Sequence, residues 1–530
     1  MFSSLGKDLN AGLVVFLVAI PLCLGIALAS DAPIMSGVLA GIIGGVVVGF
    51  FAGSELGVSG PAAGLVTVVA AGAIELGTFE AFCLAILIAG IFQFILGILK
   101  AGFLTSLFPL SVIKGMLAAI GIIIFLKQIP HAVGLDTDYE GDLDFFQADG
   151  RNTLSELAYM FDAFSPGAIV IAVACLATLI IWGLPFIQKN KILSFLPGPL
   201  LAVIMGIGLQ AIFKTAAPSW VLSKEHLVQV DANMSMSEWI TFPDFTAIGN
   251  IKVWFYAGII ASIASIESLL CAEATDKIDP HKRVGNKNKE LIAQGIGNML
   301  AGLVGALPIT QVVVRSSANV QAGGQTRLSA IFHGVLIFLA VALVPFILNM
   351  IPNASLAAIL MVIGFKLAKP TLFKIQFKKG WGQFIPFLVT VIAILLTDLL
   401  KGVGVGMVFG IFFILRENLR APYKTNVSKT EDGRVRIVIQ LAEIVSFLNK
   451  GILNKTLQEI PDNTLVIIDG SYSGTIDPDV VEIIQDFMES DATKDRGINV
   501  EFKYEGLTDK RVNPFDQLKI QIKSVRSESK

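Results

Sequence analysis

The sequence predicts an all-α polytopic membrane domain of about fourteen segments in a seven-plus-seven inverted repeat with two half-helices, followed by a small α/β domain. Three observations predict it. Of 530 residues, 54% are hydrophobic and only 15% charged, with a mean hydropathy of +0.73, whereas a soluble globular chain carries roughly 25% charged residues. Apolar segments run from about residue 11 to about residue 415, and the composition turns charged abruptly after Arg416. A ridge of small residues, a proline and a short apolar run then occur in that order in both halves of the apolar region.

The segments lie at about 11–29, 36–53, 61–75, 81–99, 111–128, 167–187, 197–213, 253–272, 290–306, 309–321, 328–350, 354–366, 384–398 and 402–418. Ala11–Ala29, Ala81–Leu99, Gly167–Ile187 and Leu328–Met350 contain no Asp, Glu, Lys or Arg. Each is long enough to cross a hydrocarbon core of about 30 Å. The first run is long, contains Pro21 and leads straight into further spans, which argues against a cleaved secretory signal. The membrane domain is placed at 1–420, with repeats at about 8–214 and 252–418, and the soluble domain at 424–530.

Basic residues in short loops set the orientation. Lys189 and Lys191 occupy one loop, Lys277, Lys282, Arg283, Lys287 and Lys289 a second, and Lys369, Lys374, Lys378 and Lys379 a third. The loop after the fifth segment is acidic, with Asp136, Asp138, Glu140, Asp142, Asp144 and Asp149. With fourteen segments and a cytoplasmic N-terminus, all three basic loops fall inside and the acidic loop outside. Both termini are then cytoplasmic, and a plasma (inner) membrane location is expected.

The first small-residue ridge is Gly41, Gly45, Gly49 and Gly53, followed by "SELGVSGPAAGLVTVVAAGA" (54–73). The second is Ala293, Gly297, Ala301 and Gly305, followed by "ALPITQVVVRSSANVQAG" (306–323). Such spacing lets helices approach closely in lipid. Seven segments per half is an odd number, so the halves are inverted, as in secondary transporters with broken helices meeting near the bilayer midplane. Pro61 and Pro308 suit the first turn of the two half-helices, with Ser59 and Gly60 capping the first. Two facing N-termini present free N–H groups and positive dipole ends, an anion site needing no charged side chain. Arg315 adds a positive charge there; the alternatives are snorkelling to the surface or a structural pair with an acid.

Glu267 is the only charged side chain between Val253 and Ala272. A carboxylate near the centre of a span costs about 2.5–3.5 kcal/mol on insertion scales. Three roles are open to it: structural ion-pair member, proton carrier or cation ligand. Cys271 lies one turn on and shares its face.

The stretch "IESLLCAEATDKID…NKELIAQGIGNMLAGLVGALPITQVVVRSSANVQAGGQTRLSAIFHG" (266–334) strongly resembles the SulP family of inorganic-anion carriers, as do "DLNAGLVVFLVAIPL" (8–22) and "SGPAAG" (59–64). The resemblance implies a core domain moving against a gate domain, a homodimer and a cytoplasmic STAS domain. It implies an anion site formed by Ser59, Ala62, Ala63, Thr310, Gln311, Val312 and Arg315. The coupling-ion position falls on Glu267 and Cys271, supported by Gln311 and Val313. Sodium-coupled bicarbonate carriers of the family resemble this pattern with an Asp and a Thr. Here Cys271 is a poor ligand for a hard cation, which favours H+ over Na+. "IPLCLG" lacks the glutamine of many sulfate-type members and looks more like the bicarbonate type. The tail "RVRIVIQLAEIV…" (434–504) reads strand, strand, helix, strand, helix, strand and looks like a STAS domain. Its usual Asp-Ser phospho-acceptor is replaced by Asp477-Pro478, which points to docking or dimerisation instead.

The reading is a secondary active carrier of bicarbonate or sulfate, working by alternating access. An uncoupled channel or exchanger, a membrane sensor or scaffold acting through the tail, and more weakly a nucleobase carrier are the alternatives. No nucleophile–base arrangement, phosphate loop or metal-ligand spacing is present in the sequence, so no enzyme, catalytic residue, metal or cofactor is expected beyond the coupling H+ or Na+. Cys23, Cys83, Cys175 and Cys271 fall in apolar segments and read as small apolar side chains. A net charge of −2, with no basic stripe interleaved with aromatics, gives no sign of nucleic-acid binding.

Overall fold

The computed structural model describes residues 5–136, 145, 152–160, 164–188, 196–230, 236–419, 423–430 and 433–503. Lys189 and Lys191, and Asp138, Glu140, Asp142, Asp144 and Asp149, lie outside the described residues, as does the chain beyond residue 503. Two compact units are found, Met1–Ile411 and Phe412–Lys530.

Helices account for all fourteen apolar segments. The first seven are α1 (Leu5–Ala29), α2 (Ile34–Phe51), α3 (Ala63–Leu76), α4 (Phe79–Ile98), α5 (Leu110–Val133), α6 (Pro166–Trp182) and α7 (Gly198–Ala216). The second seven are α8 (Ile251–Ile278), α9 (Lys287–Val304), α10 (Val313–Gln321), α11 (Leu328–Leu343), α12 (Asn353–Leu367), α13 (Trp381–Leu396) and α14 (Leu399–Leu419). Several are started by side-chain caps: Thr78 accepts from Ala81 N at α4, Asn250 from Lys252 N at α8, and Asn286 from Lys289 N at α9.

Packing repeats with the chain. Helix α4 runs along α8 and α9, while α11 runs along α1 and α2. Helix α5 packs on α12 and α13, while α12 packs on α5 and α6. Exchanging each helix with the one seven places away turns each set into its partner. Helices α1–α4 and α8–α11 thus form one group, and α5–α7 and α12–α14 another. This is the expected inverted repeat, with α3 and α10 as its half-helices.

The half-helices enter differently from the sequence expectation. Ser59–Pro61 (β1) and Ile309–Gln311 (β2) form a short antiparallel ribbon, pairing Ser59 with Gln311, Gly60 with Thr310 and Pro61 with Ile309. Pro61 therefore sits in a strand and Pro308 just ahead of one, not in the first turn of a helix. Helix α3 opens with a tight turn at Ala63–Leu65 and α10 at Val313, and neither has a side-chain cap. The correction has a physical cause. Proline lacks an N–H, which suits a two-stranded ribbon edge as well as a helix start.

The second unit has a four-stranded sheet ordered Tyr423–Lys429 (β3), Val435–Leu441 (β4), Thr464–Asp469 (β5) and Asn499–Lys503 (β6). The first pair is antiparallel and the others parallel. Helices Lys450–Gln458 (α15) and Pro478–Glu489 (α16) share its core through Leu453, Leu457, Val480 and Ile484 against Ile439, Val466 and Ile468. Asp477 caps α16 by accepting from Asp479 N, with Pro478 in the first turn. This sheet-and-helix unit fits a STAS-like domain.

Candidate functional site at the crossing of the half-helices

Buried polar side chains fix the ribbon in place. Asn298 donates to Ile309 O at 2.9 Å and to Gln93 Oε1 at 2.6 Å, and accepts from Ile309 N at 2.6 Å. Gln294 donates to Ser59 Oγ at 2.7 Å and to Glu290 Oε1 at 2.9 Å. Glu290 Oε2 in turn accepts from Gly53 N and Ser54 N. Gln311 N donates to Ser268 Oγ, and its Nε2 donates to Thr275 Oγ1 at 3.1 Å. The bonds to Ile309, Ser59 and Gln311 tie the crossing to α8 and α9, and those to Gln93, Gly53 and Ser54 anchor α9 in turn. The crossing is therefore held rigidly before any ligand arrives.

These bonds also consume donors that the sequence reading assigned to an anion. Ala62 N–H donates to Pro308 O at 3.0 Å, Val312 N–H to Val58 O at 2.9 Å, and Gln311 N–H to Ser268. The Ser59 hydroxyl is engaged by Gln294, and the buried Thr310 belongs to the ribbon. First-turn N–H groups have no intrahelical partner. The open donors are consequently those of Ala63 and Gly64 on α3 and of Val314 and Arg315 on α10, the Val313 N–H being engaged by the buried Cys271 sulfur. The shift is one or two residues along each chain, because strand pairing takes the earlier groups.

Ala63, Val312, Val314 and Arg315 line a cavity of about 30 Å³ together with Leu22 and Ile26 of α1, Ile124, Lys127 and Gln128 of α5, and Leu360 of α12. Arg315 is 0% exposed and is the bulkiest fully buried side chain among the described residues. Its Nη2 donates to Cys23 Sγ at 3.2 Å and reaches Ala19 O at 3.5 Å, while Nε and Nη1 have no hydrogen-bond partner. Among the described residues it pairs with no carboxylate, and it does not reach the surface. A buried guanidinium with bare N–H groups is costly unless an anion satisfies it.

Glu267 lies on the other side of Ala63. It lines a separate cavity of about 220 Å³ with Ala63, Gly64, Thr67 and the segment Asp398–Lys401. Its carboxylate stands against Gly64, at the positive end of α3. Cys271 is buried in the main apolar cluster beside the Val313 backbone, and Gln311 is turned toward Thr275. Of the four coupling-ion residues, only Glu267 lines this cavity.

Two wider cavities flank the crossing. One of about 180 Å³ touches Asn10 and Val14 at the start of α1, with Trp182, Gln321 and Lys366. The other, of about 340 Å³, touches Leu24, Gly25 and Leu28 near its end, with His131, Asp136, Glu225 and Asn353. The 30 Å³ cavity touches α1 at Leu22 and Ile26, at the same level as the 340 Å³ cavity, whereas the 180 Å³ cavity lies nearer the start of α1. At the 340 Å³ cavity, Asp136 accepts from His131 Nδ1 at 2.7 Å and His226 Nδ1 at 2.5 Å. Burial alone would raise the Asp136 carboxyl, but the two histidine hydrogen bonds outweigh it and hold it below its ordinary value. The same bond raises His226. Among the described residues, no group of three His, Cys, Asp or Glu could hold a metal ion.

Residues 5–393 match the model of the sulfate permease family. The chain belongs to the sulfate permease family. It is accordingly a multi-pass membrane protein of a transporter family. Its relatives include the putative sulfate transporter YvdB of Bacillus subtilis, 28% identical over 77% of this chain and 73% of that protein. The bicarbonate transporter BicA of Picosynechococcus is 28% identical over 82% of this chain and 74% of that protein. Similar solved structures include the transmembrane domain of a cyanobacterial BicA (TM-score 0.53, 22% identity, 78% of this chain and 98% of that one). Murine solute carrier 26 member A9 in the inward-facing state gives a TM-score of 0.65 at 16% identity, over 94% of this chain and 85% of that one. Those two likenesses are of fold.

Sequence reading did not single out Lys127 and Gln128, which line the 30 Å³ cavity. Lys127 falls at the last residues of the fifth apolar run, where a lysine reads as a span end. Only the approach of α5 to the half-helices reveals that it faces the crossing.

Proposed function

We propose that this chain, an anion transporter of the sulfate permease family, is a secondary active carrier of a small inorganic anion, sulfate or bicarbonate, in the plasma membrane. The observation that carries this reading is Arg315. Its wholly buried guanidinium has two bare nitrogens at a cavity bounded by two half-helix N-termini. Fixed cationic groups and orphan N–H donors in a dry site select a compact anion.

The cavity lies between the two helix groups, with one wider cavity level with it on α1 and another nearer the start of α1. Movement of α1–α4 and α8–α11 as a core against the other group as a gate would open the site to one wider cavity at a time, which is alternating access. Glu267 carries the coupling proton: its partner residues Cys271 and Gln311 are turned away from its cavity and do not complete a cation cage. The membrane domain spans about 1–420 and the STAS-like domain 424–530, with both termini cytoplasmic and the STAS-like unit serving a homodimer.

Uptake of labelled sulfate and bicarbonate into proteoliposomes under imposed pH and sodium gradients tests this. A proton gradient should drive accumulation and a sodium gradient should not. Sodium-driven, pH-independent uptake removes the proton role, and flux that never accumulates leaves a channel or passive exchanger.

A further inference from the structure

We infer that the end of α8, the start of α5 and the segment leading into α13 together form a site for the headgroup of an anionic phospholipid. The inference goes beyond the carrier reading and does not depend on which anion is carried.

Two of the basic loops seen in the sequence are brought to one place. Lys379 closes the short helix Pro370–Lys378, whose Leu372 and Phe373 pack with Ala118, one turn beyond Lys114 on α5. The Lys379 ammonium stands beside that of Lys114, and Lys277 and Lys282 at the end of α8 act on the same group. Lys282 is held there by donating to Lys277 O at 3.2 Å. The nearby acids of α8 are already engaged. Glu273 pairs with Lys277 at 2.8 Å, Asp279 with Arg283 at 2.7 Å, and Asp276 with Lys287. Among the described residues, Lys114, Lys282 and Lys379 pair with no carboxylate. The first turn of α5 carries no acid to offset them either. Ammonium groups only donate and repel one another, so this approach is costly until an anion stands among them.

The neighbouring surface says which anion. Phe377 and Trp381 are 55% and 62% exposed and meet edge to face with ring centres 5.6 Å apart. Phe373 packs on Phe387 at 5.1 Å and so anchors the short helix to α13. In a chain that crosses a bilayer, an exposed tryptophan with lysines beside it marks the depth of the headgroups. A dissolved phosphate would meet the lysines alone. A phospholipid meets the lysines with its phosphate and the exposed rings with its chains.

The site straddles the two helix groups. Lys114 and Lys379 belong to the group of α5 and α13, Lys277 and Lys282 to that of α8, and α5 touches α8 across the boundary. A bound headgroup therefore neutralises the repulsion between the groups and bridges them.

Native mass spectrometry of the purified full-length chain tests this, with phosphatidylglycerol, phosphatidylcholine and water-soluble glycerol 3-phosphate as probes. The wild type should retain phosphatidylglycerol about tenfold or more tightly than phosphatidylcholine, and glycerol 3-phosphate at equal concentration should not displace it. Each lysine beside an anionic headgroup accounts for about a fivefold change in binding. Lys282→Gln from one group, and Lys114→Gln or Lys379→Gln from the other, should each weaken retention by about that factor. Lys455→Gln, on α15 in the second unit, should leave it unchanged, and Lys379→Arg should preserve it. Equal retention of the two lipids, or displacement by glycerol 3-phosphate, overturns the proposal. So does a loss confined to the lysines of one helix group. If Lys114→Gln does not fold, the exposed Lys379 and Lys282 variants still decide the matter.

Discussion

The Arg315 guanidinium lies against the bare backbone of Gly60, where a Cβ atom would stand 2.7 Å from Cζ. The obstacle is the far end of a flexible side chain, so a methyl group displaces the guanidinium rather than the fold. Gly60→Ala should cut anion uptake about tenfold or more, equivalent to at least ~1.4 kcal/mol of binding, with little change in thermal stability. Gly53→Ala is the contrast. There a Cβ meets rigid backbone, at 2.8 Å from Glu290 N and closer still to Asn286 O, so stability should fall first. Equal effects of the two variants on stability would contradict this account.

Glu267 stands at the N-terminal end of α3, across Ala63 from the cavity lined by Arg315. Glu267→Gln keeps the shape and removes the titratable group. Accumulation driven by a proton gradient should collapse to passive equilibration, while exchange of labelled for unlabelled anion persists. Full retention of gradient-driven accumulation would rule out a coupling role for this residue.

The membrane helices were legible because a bilayer demands long apolar runs, and the half-helices because a ridge, a proline and a short run occur twice. Arg315 and Glu267 were legible as charges where charge is expensive. What local sequence could not convey was pairing across more than two hundred residues. The Ser59–Pro61 strand is set by Ile309–Gln311, so Pro61 and Pro308 looked like helix starts and Ala62 and Val312 like free donors. Lys127 was hidden for a different reason. A lysine near the end of an apolar run has the same sequence signature whether it faces headgroups or a buried cavity, and only the packing of α5 separates the two.

Asn298 holds the ribbon from both sides of one peptide, accepting from Ile309 N and donating to Ile309 O. Its truncation leaves two buried backbone groups and Gln93 without that partner. Asn298→Ala should cost about 3 kcal/mol or more, since each of the three stranded buried groups costs about 1–3 kcal/mol. Asn298→Asp, which keeps the acceptor for Ile309 N–H but sets a buried carboxylate oxygen against Ile309 O and Gln93 Oε1, should cost at least as much. Detergent-solubilised melting curves give the ranking. An alanine variant as stable as the wild type would show that the ribbon is held by its strand pairing alone.

Asp136 ties the segment bearing His226 to the end of α5, and the pKa shifts fix where that tether is strongest. His226 is raised above 6.5 by its bond to Asp136, so its contribution is complete below pH 6.5 and fades as pH rises through the raised value. Asp136 is held below 3.8 despite burial, so its contribution is complete above pH 3.8 and is lost as pH falls through the lowered value. Between those limits a carboxylate faces a protonated imidazole. Hydrogen exchange in residues 221–230, corrected for the intrinsic rate, should therefore show most protection from about pH 4 to 6.5 and progressively less in alkaline solution. Asp136→Asn removes the charge that raises His226, so it should lower protection at pH 6 and flatten its alkaline decline. Wild-type protection that stays level from pH 6 to pH 9, or an Asp136→Asn profile that keeps the wild-type slope, would show that the pair does not govern the stability of this segment.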